Sequence, residues 1–215
     1  MPKVVDHEAR RAEISAAVRR LVLREGVAAA TVRGVAQEAG WSPGAVRHYF
    51  PDQAALLRWV IAQTFADVPE RLDVRLRRWY ADPETRDPVA DAQALVEELL
   101  PLDDVRRLEA DVWLAAMDAA RRDPELGETR ALAWKGTRQI SRIAVAWLRD
   151  RTLDPHLGRL LEEPLPDPAD ELAATSLHAL LDGIAMQCFA YAELVDLDDL
   201  RATLHAHLQQ VARGA

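Results

Sequence analysis

Between Thr31 and Asp52 the chain carries an unusual density of helix punctuation. Thr31 is a hydroxyl N-cap ahead of Val32, and Gly40 supplies the left-handed position that closes a helix. Ser42-Pro43 then sets a preferred N-cap before the residue favoured at a first helical position. Pro51-Asp52 stops that helix and caps another. The punctuation predicts a short helix over about Val32–Glu38 and a second from Ser42-Pro43 to about Tyr49, joined by a tight turn. Upstream, Ile14, Ala17, Val18 and Leu21 recur at i, i+3, i+4, i+7 and make one apolar face of a helix over about Glu8–Glu25, ended by Gly26. Three short helices with a tight turn between the last two is the helix-turn-helix plan.

The third helix then has two jobs. Val46 and Phe50, at i and i+4, can pack inward. Gly44, Arg47 and His48 share the outward face. Gly44 and Ala45, following Pro43, are small enough to let the helix start approach a duplex. Arg47 can contact guanine O6 and N7. Thr31 and Ser42 stand at helix N-termini, where hydroxyls and free N–H groups suit phosphates. Tyr49 can add a phosphate contact. Singly these are a cap, a turn and a solvated arginine; only their joint spacing points to double-stranded DNA.

Charge adds weak support. The chain is −8 overall, but its first sixty residues hold nine Lys/Arg against six Asp/Glu, a balance of +3, which leaves −11 for the remainder. With 215 residues and 49% hydrophobic content, a sizeable core is available. The single cysteine, Cys188, allows no internal disulfide and fits a reducing cytoplasm. No signal-peptide pattern is present. No uncharged apolar run approaches the ~18 residues of a membrane span, so no membrane partner is expected.

Downstream the pattern is of longer helices. A fourth should run from Asp52 past Trp59 towards Tyr80, kinked or divided at Pro69. Helices are also expected over Val89–Leu100, Val105–Arg122, Glu125–Arg151, Ala169–Val195 and Leu197–Ala212. Pro155, Pro164, Pro166 and Pro168 mark residues 153–168 as a loop. The fold class is all-α.

The stretch Arg10–Ile61, with Gly26, Ala36, Ala39-Gly40, Ser42, Gly44, His48-Tyr49-Phe50 and Leu56 at their spacing, resembles the DNA-binding domain of the TetR family. Trp113, Asp123-Pro124-Glu125-Leu126 and Leu181–Gln187 are similar to the subgroup of choline-responsive Bet repressors. The resemblance implies a helix-turn-helix domain over residues 1–52 and a ligand-binding and dimerisation domain over 53–215. It implies a repressor that binds operator DNA as a homodimer and is released by a small-molecule effector. The chain departs from the family at three positions: Arg47 replaces a common aromatic, Gln53 a lysine thought to hold phosphate, and Arg33 a small hydroxyl residue. Arg33 and Arg47 are expected to compensate for that lysine.

In the second half, Trp79, Trp113, Met117 and Trp134 could line an apolar cavity, with His178 and Asp182 as polar anchors. Large residues at helical spacing are more often plain core, and sequence does not separate the two readings. The helix from Ala169 is apolar around most of its circumference, with Ser176, Ala179, Gly183 and Ala190 small enough for close helix approach. With Leu204 and Leu208 of the last helix it matches the family's four-helix dimer interface. No Gly-rich phosphate loop or Glu-x-x-His pair occurs, His205 and His207 point apart, and no metal, cofactor or enzyme activity is expected. The alternative is a helical small-molecule carrier or scaffold that does not bind DNA.

Overall fold

The computed structural model describes residues 7–121, 127–151 and 163–214, and among these every regular element is helical. Ten α-helices follow in order: α1 (His7–Glu25), α2 (Val32–Ala39), α3 (Pro43–Tyr49), α4 (Gln53–Thr64), α5 (Val68–Ala81), α6 (Pro88–Val96), α7 (Asp104–Ala120), α8 (Gly127–Leu148), α9 (Pro168–Ala190) and α10 (Leu197–Arg213). They form two compact units. The first comprises the described parts of Met1–Ala66 and Leu108–Gly127; the second comprises those of Asp67–Arg107 and Glu128–Ala215. The first unit therefore runs beyond residue 52, because Leu56, Val60 and Ile61 of α4 and Leu108 and Val112 of α7 bury their side chains in its core.

In the first unit, Ile14, Val18 and Leu21 of α1, Val35 and Ala36 of α2, and Val46 and Phe50 at the third helix are at most 4% exposed. The apolar stripe read from the sequence is thus the surface on which α2 and α3 are laid. The caps act as expected. Gly34 N–H donates to Thr31 Oγ1 at 2.9 Å and Ala45 N–H to Ser42 Oγ at 3.1 Å. Ala55 N–H donates to Asp52 Oδ1 at 2.7 Å. Gly40, at φ 71, turns the chain so that Trp41 N–H reaches Ala36 O at 2.8 Å. Glu38 of α2 takes Arg20 Nε and a terminal nitrogen of Arg24, each at 2.8 Å, which pins α2 to α1. These arginines hold its carboxyl below the usual carboxylate range.

The second unit is built around Leu95 and Val96 of α6, Ile143, Ala144 and Trp147 of α8, Leu177 and Leu181 of α9, and Leu204 and Leu208 of α10. Polar ties cross it. Glu98 is buried, with Arg71 Nε at 3.2 Å and Arg75 at 2.7 Å. Arg142 makes a two-pronged contact with Glu171, at 2.9 and 2.8 Å, joining α8 to the start of α9.

Several expectations shift. The fourth helix is two: α4 ends at Thr64 and α5 begins at Val68, so the break precedes Pro69, which sits in the first turn of α5. Proline lacks an N–H that a first turn does not use, so it starts a helix more readily than it bends one. α6 stops at Val96 and passes through a 3-10 turn, Glu97–Leu99, because the residue before Pro101 is driven to an extended conformation (Leu100 φ −105, ψ 145). α9 ends at Ala190, short of the expected Val195. Leu132 of α8 is 69% exposed, so apolar character alone does not mark the buried side of that helix.

Leu204 and Leu208 require a larger correction. Both are fully buried in the chain's own core, so they cannot also meet a partner. An apolar stripe records burial and does not say whether the covering surface belongs to the same chain. Ser176, Ala179, Gly183 and Ala190 are exposed, alongside Leu172 at 70%, Met186 at 47% and Phe189 at 49%. α9 thus buries Ala174, Leu177, Leu181 and Ile184 and leaves a small-residue, apolar face in solvent. It is the one described helix long and apolar enough, by length and composition, to cross a membrane, and it carries Asp170, Glu171 and Asp182.

Candidate nucleic-acid interface

The third helix is short, and its orientation is set by two anchors. Val46 is completely buried and Phe50, at the C-cap, is 4% exposed, with its ring 5.1 Å from that of Trp59. The opposite face stands clear. Ser42, Pro43, Gly44, Arg47 and His48 are exposed, while Ala45 and Tyr49 are half-buried. Among the described residues, a Cβ at Gly44 would meet only Ser42 Oγ, at 3.9 Å, beyond its own helix and chain neighbours, so the surface there is open. The side chains of Arg33 and Arg47 make no ion pair or hydrogen bond with any described residue, and each guanidinium is free to meet an outside anion. Thr31 is exposed at the start of α2, where its hydroxyl already caps the helix.

A train of rings crosses the turn. Trp41 lies 5.8 Å from Tyr49, and Tyr49 meets His48 edge-on at 5.4 Å. This fixes the end of the third helix against the turn before it. Gln53 opens α4, but its side chain lies outside the described residues. Of the expected DNA-facing residues, Thr31, Arg33, Ser42, Pro43, Gly44, Arg47 and His48 are thus exposed, and Arg33 and Arg47 are cations with no described side-chain partner. Arrangements of this kind contact phosphate and base edge, not a reacting atom.

The expected effector residues are distributed differently. Trp113 and Met117 are half-buried on α7 in the first unit. Trp79 is buried in the second unit against Trp147. Trp134, His178 and Asp182 do come together: the Trp134 ring is 5.6 Å from that of His178, and His178 Nε2 is 3.6 Å from Asp182 Oδ2. Burial pushes His178 below its ordinary value against the pull of Asp182, and burial raises Asp182. The imidazole Nδ1 is buried without a hydrogen-bond partner. Sequence reading missed Arg138, whose guanidinium covers the Trp134 ring at 5.2 Å and which bonds Thr175. The signal was present, since Trp134 and Arg138 are four residues apart on α8 and share a face. Among the described residues no group of three His, Cys, Asp or Glu side chains could hold a metal ion.

Comparison with known proteins agrees with this geometry. Residues 14–60 match the family described as bacterial regulatory proteins, tetR family, and residues 88–213 match the BetI-type transcriptional repressor C-terminal domain. The chain is 28% identical over 213 residues to the HTH-type transcriptional regulator PksA of Bacillus subtilis, covering 98% of this chain and 94% of that one. It is 29% identical over 184 residues to the HTH-type transcriptional regulator BetI of Paraburkholderia phytofirmans, covering 86% and 84%. A solved transcriptional regulator from Rhodococcus sp. Rha1 superposes with a TM-score of 0.74 at 25% identity, covering 95% of this chain and 96% of the other. These relatives are regulators and not enzymes. With a helix-turn-helix in its first unit and a BetI-type domain over most of the rest, the chain belongs to the TetR family of transcriptional regulators.

Proposed function

We propose that this chain is a cytoplasmic, homodimeric repressor that holds operator DNA with its third helix and lets go when a small molecule binds its C-terminal domain. The observation that carries the reading is the two-sided third helix. Val46 and Phe50 are locked into the core, while Gly44, unpaired Arg47 and His48 face out. Thr31, Arg33, Ser42, Pro43, Ala45 and Tyr49 complete the contact set, with Gln53 at the start of α4. Arg33 and Arg47 supply the positive charge that a lysine at Gln53 would have brought, and Arg47 favours a G·C pair.

Dimerisation follows from the exposed small-residue face of α9, through Ser176, Ala179, Gly183 and Ala190, because one helix-turn-helix reads only half a site. Two must sit about 34–36 Å apart, or a multiple of that, to enter successive major grooves. The same face accounts for a helix apolar enough to resemble a membrane span. For the effector, Trp134, His178 and Asp182 offer an aromatic wall with polar groups within the second unit. Release requires that the effector bind the DNA-free form more tightly than the bound form.

The test is a gel shift on the duplex upstream of the protein's own coding region, against a scrambled duplex, over a salt series. Specific binding should weaken steeply with salt. Arg47→Ala should cost ~1–3 kcal/mol on the specific duplex and less on the scrambled one. Equal loss on both would make Arg47 a phosphate contact only. Absence of any salt-sensitive band would overturn the reading in favour of a carrier or scaffold.

A further inference from the structure

Trp41 is a costly residue to leave in an open turn. Its ring meets Tyr49 of the third helix at 5.8 Å, and a cation from elsewhere sits over its face. The guanidinium of Arg10, on α1, sits over the Trp41 ring at 5.1 Å. The other partner of Arg10 is Glu13, one turn along the same helix, at 2.9 Å, and both of these side chains are about half exposed. Arg10 also precedes residue 14, where the match to the family's DNA-binding domain begins.

A guanidinium held over an indole face is restrained before it meets an anion, so less freedom is lost on contact. The ring contact itself uses none of the N–H groups, of which Nη1 donates to Glu13. The ion pair with Glu13 is exposed, and such pairs contribute little and exchange readily. A phosphate offers the same two-pronged geometry with more charge. The position matters as much as the chemistry. Trp41 directly precedes Ser42, and the ring train from Trp41 through Tyr49 to His48 runs to the far end of the third helix. Arg10 therefore lies against the residue that leads directly into exposed Ser42 and whose ring meets Tyr49 at the end of the third helix.

We propose that Arg10 is a phosphate clamp contributed by the first helix, and that Trp41 is the positioning residue that holds it ready. This rests on the DNA-binding reading above and extends the contact surface beyond the helix-turn-helix. Arg10 reads no base: it should contribute equally on any sequence, exchanging Glu13 for a phosphate oxygen when the duplex arrives.

The experiment is a salt titration of binding to the upstream duplex and to a scrambled duplex, with full-length protein. Arg10→Ala should flatten the plot of log affinity against log salt by about 0.9 per subunit on both duplexes. Arg10→Lys should keep the slope. Trp41→Leu should flatten it as Arg10→Ala does, and Trp41→Phe, which restores a ring face, should recover it. Thermal melts of the same variants separate a contact from a mere tie between α1 and the turn. An Arg10→Ala protein that melts early yet keeps the wild-type slope would overturn the clamp, as would a loss confined to one duplex. If the wild type itself shows no salt-sensitive binding, the DNA-binding reading fails, and this inference with it. If the wild type binds and Arg10→Ala is indistinguishable from it, this inference alone fails.

Discussion

The indoles of Trp79 on α5 and Trp147 on α8 lie face to face, with ring centroids 4.4 Å apart and planes only 11° from parallel. Arg86 adds its guanidinium 4.7 Å from the Trp79 ring and donates from Nε to Trp79 O at 2.7 Å. Trp79 is thus built into the core of the second unit. Trp79→Ala should cost ~3–5 kcal/mol in chemical denaturation, since a large cavity is left. Trp79→Phe keeps a stacked ring and should cost much less. Equal losses for the two variants would show that a ring retained at this position contributes nothing.

Gly34 sits inside α2 at an ordinary helical position, yet a Cβ there would press on the backbone oxygen of Ala29. A carbonyl of the main chain cannot swing aside as a side chain can. Gly34→Ala should therefore destabilise the first unit by ~1–3 kcal/mol, although alanine is the better helix former. Hydrogen exchange at α2 amides is the readout, and a variant as protected as wild type would refute the close approach.

Ala179 is exposed in the single chain, so a charge there should not disturb the subunit. At a two-fold interface the same charge appears twice and faces itself. Ala179→Glu should shift sedimentation from dimer to monomer and drop operator affinity towards the non-specific range, a Kd of about 10⁻⁴–10⁻⁶ M. A variant that remains dimeric places the interface elsewhere.

Burial holds His207 below the ordinary imidazole value, and its Nε2 has no hydrogen-bond partner among the described residues. A folded value below the unfolded one means that the unfolded chain takes up the proton first. Stability is therefore full above about pH 6.5 and declines as pH falls, by at most about 1.4 kcal/mol per pH unit for each such group. His178 acts in the same direction. His207→Leu should flatten part of the decline in melting temperature between pH 7.5 and 5.5. An unchanged slope would assign the acid sensitivity to other groups.

The helix-turn-helix was largely legible because its signals are local. Thr31, Gly40, Ser42-Pro43 and Asp52 act on amides within a few residues of themselves, so a cap in sequence is a cap in structure. Val46 and Phe50 against Arg47 and His48 follow from helical period alone. The break before Pro69 was misplaced by a few residues because a proline can end one helix or begin the next, and spacing does not say which.

The remaining questions concerned which surface covers which. Amphipathic period in α10 announced that Leu204 and Leu208 are buried, but only packing against α6 and α9 showed that their own chain buries them. The same period left Trp79 ambiguous until Trp147, sixty-eight residues on, was seen against it. Arg10 and Trp41 are distant in sequence and share no pattern, so their contact had no local sign. By itself the sequence determined where helices start, stop and turn their apolar sides, since those depend on neighbours along the chain. The partner of each apolar side was decided by tertiary structure, because burial satisfies a hydrophobic face equally well whichever surface supplies it.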